Sequence, residues 1–251
     1  MRVAELEKMF RLEDTYWWFV ARRKLARDLL TRYGPRTGQG RDGSPLRILD
    51  VGCGTGATLR SLSEFGTVVG IDSSQEALRF SRRRGDFPLV QARGEALPAR
   101  SESVDVITAL DLLEHVPDDA AAAAELARAL RPGGVLLVTV PALPFLWSEH
   151  DEALGHLRRY RARQLRAILE GAGLKVERLS PLITLLLAPI GALRLLQRVL
   201  PRKDAHPETA FIVPPAPANV LLTWLLWLES RWALRWNLPV GVSLMAVARK
   251  R

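Results

Sequence analysis

The sequence has 251 residues, of which 48% are hydrophobic and 25% are charged, and this composition excludes a chain that is disordered throughout. The length suits one large α/β domain that carries insertions. Its single cysteine, Cys53, excludes an intrachain disulfide, and the first residues lack the apolar core of a signal peptide. A reducing cytoplasm is therefore the expected compartment.

The formal net charge of +9 is compatible with nucleic acid, anionic lipid or an acidic substrate as a partner. Most of the basic residues are arginine, which a coding bias toward arginine would also produce. Charge alone does not choose among these explanations.

The N-terminal segment, residues 1–36, is predicted to be a helical cap. Its pattern indicates one helix from Glu5 to Arg32 that carries the aromatic cluster Tyr16-Trp17-Trp18-Phe19 and ends at Gly34-Pro35. A polar linker from Thr37 to Pro45 follows.

Short apolar runs alternate with helical stretches such as Ala120–Leu130 through the next part of the chain. Such alternation predicts an α/β fold with a Rossmann-like, doubly wound, mainly parallel sheet. Seven strands are expected: Leu46–Val51, Val68–Ile71, Pro88–Gln91, Val104–Leu110, Val135–Val140, Leu174–Leu179 and Val240–Ala248. Residues 46–180 then form the core, and residues 239–251 supply its last strand.

Residues 181–238 are predicted to be an apolar helical insertion before the last strand. Its apolar stretches are Leu182–Leu200 and Val220–Trp236, and Pro189 and Arg194 argue against the first as a membrane span. Tryptophan and arginine at helical spacing in the second suit a membrane interface. The alternatives are a lid over the substrate cleft and a dimer contact.

A glycine loop follows the first strand, with the sequence Asp50-Val-Gly52-Cys53-Gly54-Thr-Gly56. Glycines let backbone N–H groups approach a nucleotide-like ligand, but this spacing also fits a dinucleotide site. A carboxylate at Asp50 would repel a pyrophosphate and attract the positive charges of S-adenosylmethionine. Asp72, at the end of the second strand, is placed to accept ribose hydroxyls, or alternatively to cap the next helix.

The ordered motifs across residues 46–141 resemble those of class I S-adenosylmethionine-dependent methyltransferases. They are Leu49-Asp-Val-Gly-Cys-Gly-Thr-Gly56, Gly70-Ile-Asp72, Glu95-Ala-Leu-Pro98, Val104-Asp-Val, Leu113-Glu-His-Val116 and Arg131-Pro-Gly-Gly134. The resemblance implies S-adenosylmethionine as cofactor, S-adenosylhomocysteine as product, and cofactor contacts at Asp50, Gly52, Cys53, Gly54, Gly56, Asp72, Ser73, Gly94, Glu95, Ala96 and Asp111. Arg93 departs from the family, which usually has an adenine-contacting Asp there.

The loop after the fourth strand lacks the Asn/Asp-Pro-Pro-Tyr/Phe motif of nucleic-acid amino methyltransferases, which argues against DNA or RNA bases as acceptors. His115 in this loop is a candidate base, or alternatively a helix cap. Asp111, Glu114 and His115 resemble positions that bind a divalent ion in some ubiquinone-pathway O-methyltransferases. Metal-free relatives share this spacing, so no metal is assigned.

Residues 142–162 form a predicted acceptor loop, rich in histidine, carboxylate and arginine. It resembles a subgroup of methyltransferases with an N-terminal Trp-Trp-Phe and a His-Asp…Gly-His…Arg-Arg-Tyr motif. His150 and Asp151 join His115 as predicted catalytic residues, and the predicted substrate-binding residues are Trp17, Trp18, His156, Arg158, Arg159 and Tyr160. The alternative is a solvated loop held by internal ion pairs.

The function expected from the sequence is methyl transfer to an O or N atom of a small-molecule or lipid-linked hydrophobic acceptor, in the cytoplasm or at the inner face of the membrane. A catalytically silent cofactor-binding scaffold is the alternative from another class. RNA methylation is a third hypothesis, which the fourth-strand loop disfavours, and a homodimer stays open.

Overall fold

The computed structural model describes residues 3–35, 40, 43–199, 211 and 213–251. Its centre is a seven-stranded sheet with the strand order β3-β2-β1-β4-β5-β7-β6. The strands are β1 (Leu46–Val51), β2 (Gly66–Asp72), β3 (Leu89–Gln91), β4 (Val104–Leu110), β5 (Leu130–Pro141), β6 (Leu174–Leu182) and β7 (Ser243–Lys250). β7 runs antiparallel to its neighbours β5 and β6, and the other described strand pairs are parallel. The predicted Rossmann-like, mainly parallel sheet is confirmed.

Helices cover both faces of this sheet. They are α1 (Val3–Leu12), α2 (Trp17–Tyr33), α3 (Leu59–Leu62), α4 (Gln75–Arg82), α5 (Asp119–Ala129), α6 (Glu149–Leu154), α7 (Ala162–Gly171), α8 (Leu187–Val199) and α9 (Ala216–Ala233). Local sequence explains the start of α4, where the Ser74 side chain accepts a hydrogen bond from the Ala77 N–H at 3.2 Å. α2 ends at Tyr33, just before the predicted Gly34-Pro35 stop.

Two apolar cores lie on opposite faces of the sheet. On one face, Leu29 of α2 and Ala233 of α9 pack with strand residues such as Leu137. On the other, Leu126 of α5 and Leu165 of α7 pack against the same strands. The central strand β4 is buried along its whole length, as expected for a parallel strand covered on both faces.

The structure corrects two predicted helices. The N-terminal segment is two helices rather than one, because the chain is extended at Tyr16 and side chains near this break bind the glycine loop, as described below. The stretch Leu182–Leu200 is not helical from its start, because Leu182 still pairs in β6 and Ile183 has a φ of 63°. Residues 37–39, 41 and 42 of the predicted linker and residues 200–210 and 212 of the predicted insertion lie outside the described residues.

The order of the strands reverses between β1 and β4. In doubly wound sheets a ligand binds in the crevice at the carboxyl ends of the strands beside such a reversal. Here that edge of the sheet carries the glycine loop after β1, Asp72 at the end of β2 and Asp111 just after β4. The fold therefore brings together three motifs that are far apart in sequence.

Candidate active site

A cavity of about 900 Å³ opens at this edge of the sheet. Its size lies in the upper part of the range for small-molecule sites, roughly 300–1,000 Å³. One end is formed by the glycine loop and the carboxyl ends of β1, β2 and β4. The other end is apolar and comes from α2, α8, α9 and Phe211. The cavity can thus accept a ligand with one polar and one hydrophobic part.

The glycine loop has the backbone geometry that its glycines permit. Gly52 and Gly54 have φ values of +76° and +56°, in the left-handed region that other residues rarely adopt. A side chain at Gly54 would meet no atom within 4 Å, so the loop leaves open space there. Asp72 holds the loop, since it accepts hydrogen bonds from the N–H groups of Gly54 at 2.9 Å and Ser74 at 2.8 Å. The cap of α4 is Ser74, so Asp72 bridges loop and helix while lining the cavity.

Asp50 lies beneath the glycine loop and is 2% exposed. Its Oδ1 accepts a hydrogen bond from Thr108 Oγ1 at 2.6 Å, whereas Oδ2 has no partner among the described residues. Burial raises the pKa of Asp50 to about 6. A buried, half-satisfied carboxylate is stabilised by a nearby cation. Together with the open space at Gly54, it fits a cofactor that carries ammonium and sulfonium charges.

The N-terminal helices close this end of the cavity through two polar contacts. Thr55 Oγ1 in the glycine loop donates a hydrogen bond to Glu13, which also pairs with Arg84 at 3.1 Å. Arg22 of α2 forms an ion pair with Asp111 at the end of β4. The predicted cap is therefore attached to the cofactor end and is part of the site.

Glu114 is the most unusual side chain in the cavity wall. It is fully buried, and neither carboxylate oxygen has a hydrogen-bond partner among the described residues. Burial, with a smaller contribution from Asp111, raises the pKa of Glu114 well above its ordinary value. A carboxylate in this environment gains much by accepting a proton.

Two histidines stand beside Glu114. Nδ1 of His115 lies 3.2 Å from the carbonyl oxygen of Gly155, and Nδ1 of His156 lies 2.9 Å from Asp151 Oδ1. If each Nδ1 carries the hydrogen, both Nε2 atoms are left as acceptors. One ligand atom from each of Glu114, His115 and His156 lies within 4.8 Å of the others, so these three side chains could also hold a metal ion.

Burial lowers the pKa of His115 to about 4 and that of His150 to about 3. Both imidazoles are therefore neutral at neutral pH and are weak bases. His150 lies in the apolar half of the cavity, where its ring contacts Phe211 edge-on with centroids 5.7 Å apart. Trp17 and Trp18 line the same half. His150 is thus better suited to orient an acceptor than to take its proton.

Asp151 organises the predicted acceptor loop from within. It is fully buried and pairs with Arg159 at 2.8 Å, with His156 at 2.9 Å and with Arg194 of α8 at 3.2 Å. Burial alone would raise the pKa of Asp151, but the His156 hydrogen bond and the Arg159 charge lower it. This network fixes His156 and Arg159 at the cavity wall and joins the loop to the insertion.

Five of the predicted site residues do not line the cavity. Asp151 is enclosed by its ion pairs. Arg158 and Tyr160 turn away to bind Asp119 at the start of α5, at 3.0 and 2.8 Å. Gly56 packs against Ser81 of α4, and Ala96 is exposed. For Asp151, Arg158 and Tyr160, the alternative of a loop held by internal ion pairs describes the observed roles.

The other predicted residues do line the cavity, namely Trp17, Trp18, Asp50, Gly52, Cys53, Gly54, Asp72, Ser73, Gly94, Glu95, Asp111, His115, His150, His156 and Arg159. At the predicted adenine contact, the unusual Arg93 pairs with Glu95 at 3.1 Å. Sequence reasoning did not select Glu13, Arg22 and Arg194 as site residues, and it named Glu114 only for its resemblance to a metal-binding position. Arg22 could have been found, because it follows Trp18 by one helical turn and shares its face.

The fold and the cavity together define a cofactor-binding enzyme fold of the class I methyltransferase type. The methyltransferase domain family matches residues 18–179, more than half of the chain. The chain therefore belongs to this family, as its motifs predicted, and the family implies S-adenosylmethionine as the cofactor.

Two curated relatives show how far the similarity extends. The ubiquinone biosynthesis O-methyltransferase of Thiobacillus denitrificans is 41% identical over 96 residues, which cover 35% of this chain and 41% of that protein. A probable S-adenosylmethionine-dependent methyltransferase of Mycolicibacterium smegmatis is 34% identical over 136 residues, which cover 52% of each. The chain thus matches about half or less of these relatives' length.

Solved structures share the fold over almost the whole chain. A Thermotoga maritima methyltransferase, described as a possible histamine N-methyltransferase, has a TM-score of 0.60 at 17% identity and covers 99% of this chain and 96% of its own. A chain from a complex between the Haloferax volcanii Trm112 methyltransferase activator and a methyltransferase also has a TM-score of 0.60, at 18% identity, with coverage of 98% and 93%. At these identities the likeness concerns the fold.

Proposed function

We propose that the protein transfers the methyl group of S-adenosylmethionine to an O or N atom of a small hydrophobic acceptor, lipid-linked acceptors included. One observation carries this proposal. A single cavity joins the glycine loop, Asp50 and Asp72 to an apolar wall made by Trp18, Ile190, Leu193, Phe211 and Leu222, with Glu114 and His115 in its lining.

The cofactor, when bound, supplies an electrophilic methyl group on a good leaving group. Much of the rate enhancement then comes from holding the acceptor atom in line with the methyl carbon. The aromatic and aliphatic wall binds the hydrophobic part of the acceptor, while Arg159 and His156, held by Asp151, contact its polar part. The N-terminal helices exclude water from the cofactor end.

Glu114 is the proposed proton acceptor. As the acceptor's O or N atom bonds to the methyl carbon, its proton passes to the Glu114 carboxylate, and the bond between methyl and sulfur breaks. The raised pKa of Glu114 makes it a stronger base than His115 or His150, whose pKa values are lowered. His115 is proposed to orient the acceptor through its free ring nitrogen.

The test is to incubate the protein with S-adenosylmethionine carrying an isotopically labelled methyl group and a panel of phenols, amines, hydroxylated prenyl lipids and RNA. Mass spectrometry should find labelled hydrophobic products and an equal amount of S-adenosylhomocysteine. Asp72→Asn should lower the yield of products at limiting cofactor, while Asp86→Asn, an exposed residue outside the cavity, should not. Cofactor binding without any labelled product would support the silent scaffold instead, and labelled RNA alone would support RNA methylation.

A further inference from the structure

Helix α9 exposes a row of large apolar side chains to solvent. Its outward face carries large apolar side chains, all about half exposed or more: Val220, Leu221, Trp224, Leu228 and Trp232, continued past the helix end by Trp236. Its inward face buries the polar Glu229 and Ser230 together with Leu226 and Ala233. A surface helix of a globular protein normally packs its apolar face on the core and exposes polar residues. These outward residues form the α9 outer face.

Polar contacts fix this orientation. Asn219 accepts a hydrogen bond from the Trp17 N–H at 3.0 Å and donates one to the Thr15 carbonyl at 2.7 Å. Near the other end, the Glu229 carboxylate accepts hydrogen bonds from the N–H groups of Thr184 at 3.1 Å and Leu185 at 2.9 Å. Rotating α9 to bury its apolar side would break all four bonds and bury unpaired groups. The α9 outer face is therefore a built feature of the fold.

The charges beside this face indicate what covers it. Arg231 of α9 and Arg235, two residues past its end, are both exposed, whereas Glu229, the one acidic residue of α9, is buried. Lys24 of the adjacent α2 is also exposed, with its ammonium 5.9 Å from the Trp227 ring. Tryptophan with arginine, without acidic residues, is typical of a helix that lies in the plane of an anionic bilayer surface. None of the helices among the described residues is long and apolar enough to cross a membrane.

We infer that the α9 outer face docks on the surface of an anionic lipid bilayer, with its apolar side chains among the acyl chains and Arg231 and Arg235 at the phosphates. The arginine stems can bury their methylene groups while the guanidinium groups reach the headgroups. Docking in itself does not depend on the proposed methyl transfer. It would also place the bilayer beside α8 and α9, which line the apolar half of the cavity through Ile190, Leu193 and Leu222.

The test is flotation of the full chain with two kinds of vesicle. One contains phosphatidylcholine alone, and the other also contains phosphatidylglycerol as about a third of the lipid. Binding should require the anionic lipid and weaken with salt. Trp224→Ser/Leu228→Ser/Trp232→Ser should lose binding, whereas Val3→Ser, an exposed apolar residue on α1, should keep it. Circular dichroism and cofactor titration establish that each variant is folded.

A second pair of variants separates the specific site from the overall charge. Arg231→Gln/Arg235→Gln should bind anionic vesicles about 25-fold more weakly, or about fivefold for each arginine removed. Arg60→Gln/Arg100→Gln removes the same charge from exposed positions elsewhere and should have much less effect. Equal losses in both variants, or no binding of the unaltered chain, would overturn the inference. A dimer in solution that the triple variant dissociates, without vesicle binding, would show that a second copy covers the face.

Discussion

Arg22 of α2 forms an ion pair with Asp111, 89 residues later in the chain, at the carboxyl end of β4. Asp111 also accepts a hydrogen bond from Thr139 Oγ1 at 2.8 Å, so the pair joins the N-terminal cap to two adjacent strands. Both partners are about one-fifth exposed and both residues line the cavity. The N-terminal cap is thus coupled directly to the cofactor end.

Arg22→Gln should lower both the free energy of unfolding and the affinity for S-adenosylmethionine. The loss of stability should be about 1–3 kcal/mol, because Asp111 keeps a partly buried charge without its partner. Chemical denaturation and calorimetric titration measure the two effects. Arg27→Gln is the matched control, since Arg27 lies on the same helix in an exposed pair with Glu64 and should cost less than about 1 kcal/mol. Equal effects of the two substitutions would contradict a special role for Arg22.

The affinity for S-adenosylmethionine should fall as the pH drops through about 6, because Asp50 then loses the charge that attracts the cofactor. The limiting slope for one group is about tenfold per pH unit. In the cofactor-free protein the pH dependence of stability runs the other way. Because folding raises the pKa of Asp50, the free energy of unfolding falls as the pH rises from about 4 to about 6.

Titrations with S-adenosylmethionine at about pH 5 to about pH 8, a range that includes the pKa of Asp50, measure how the affinity depends on pH. Asp50→Asn should flatten it and weaken binding at neutral pH, whereas Asp86→Asn should leave it unchanged. A pH-independent affinity in the unaltered protein would show that Asp50 does not interact with the cofactor's charge.

Glu114→Gln should reduce kcat by about 10²–10⁴-fold while leaving cofactor affinity within a few-fold, as expected for loss of a general base. In the unaltered enzyme kcat should rise with pH through the raised pKa of Glu114, because only the ionised carboxylate accepts a proton. His115→Ala and His150→Ala should mainly raise KM. Glu152→Gln, an exposed residue of α6, is the control. Unchanged kcat in Glu114→Gln would remove this residue from the chemistry.

Removal of metal tests whether Glu114, His115 and His156 hold a metal ion. We expect an enzyme dialysed against a chelator to retain its turnover, because displacement at a sulfonium methyl needs no Lewis acid when the acceptor is aligned. Elemental analysis before and after dialysis shows whether metal was present. Loss of turnover that a divalent ion restores would mean that these three side chains hold a metal.

The part of the fold predictable from the sequence is the part governed by local patterns. Each strand, its following glycine or acidic residue and the next helix lie close together in the chain, so Asp50, Gly54 and Asp72 could be placed at one edge of the sheet. The contacts that local patterns do not predict depend on partners far away in the chain. Tyr160 and Arg158 were expected at the acceptor, but Asp119, about 40 residues earlier, holds both.

The same reason explains the break in the N-terminal helix and the orientation of α9. The helical periodicity of both segments is correct, but the polar contacts of Glu13 with Thr55 and of Asn219 with Trp17 decide where the chain turns and which side faces inward. Such contacts leave no signal in the spacing of nearby residues.

The most direct measurement of the central claim is calorimetric titration of the protein with S-adenosylmethionine and S-adenosylhomocysteine, in the unaltered chain and in Asp72→Asn. The structure predicts one site for both ligands and a loss of at least about tenfold in affinity, equivalent to about 1.4 kcal/mol, when Asp72 loses its charge. Absence of binding in the folded protein, or affinity that Asp72→Asn leaves unchanged, would contradict the assignment of the glycine loop and Asp72 as the cofactor site.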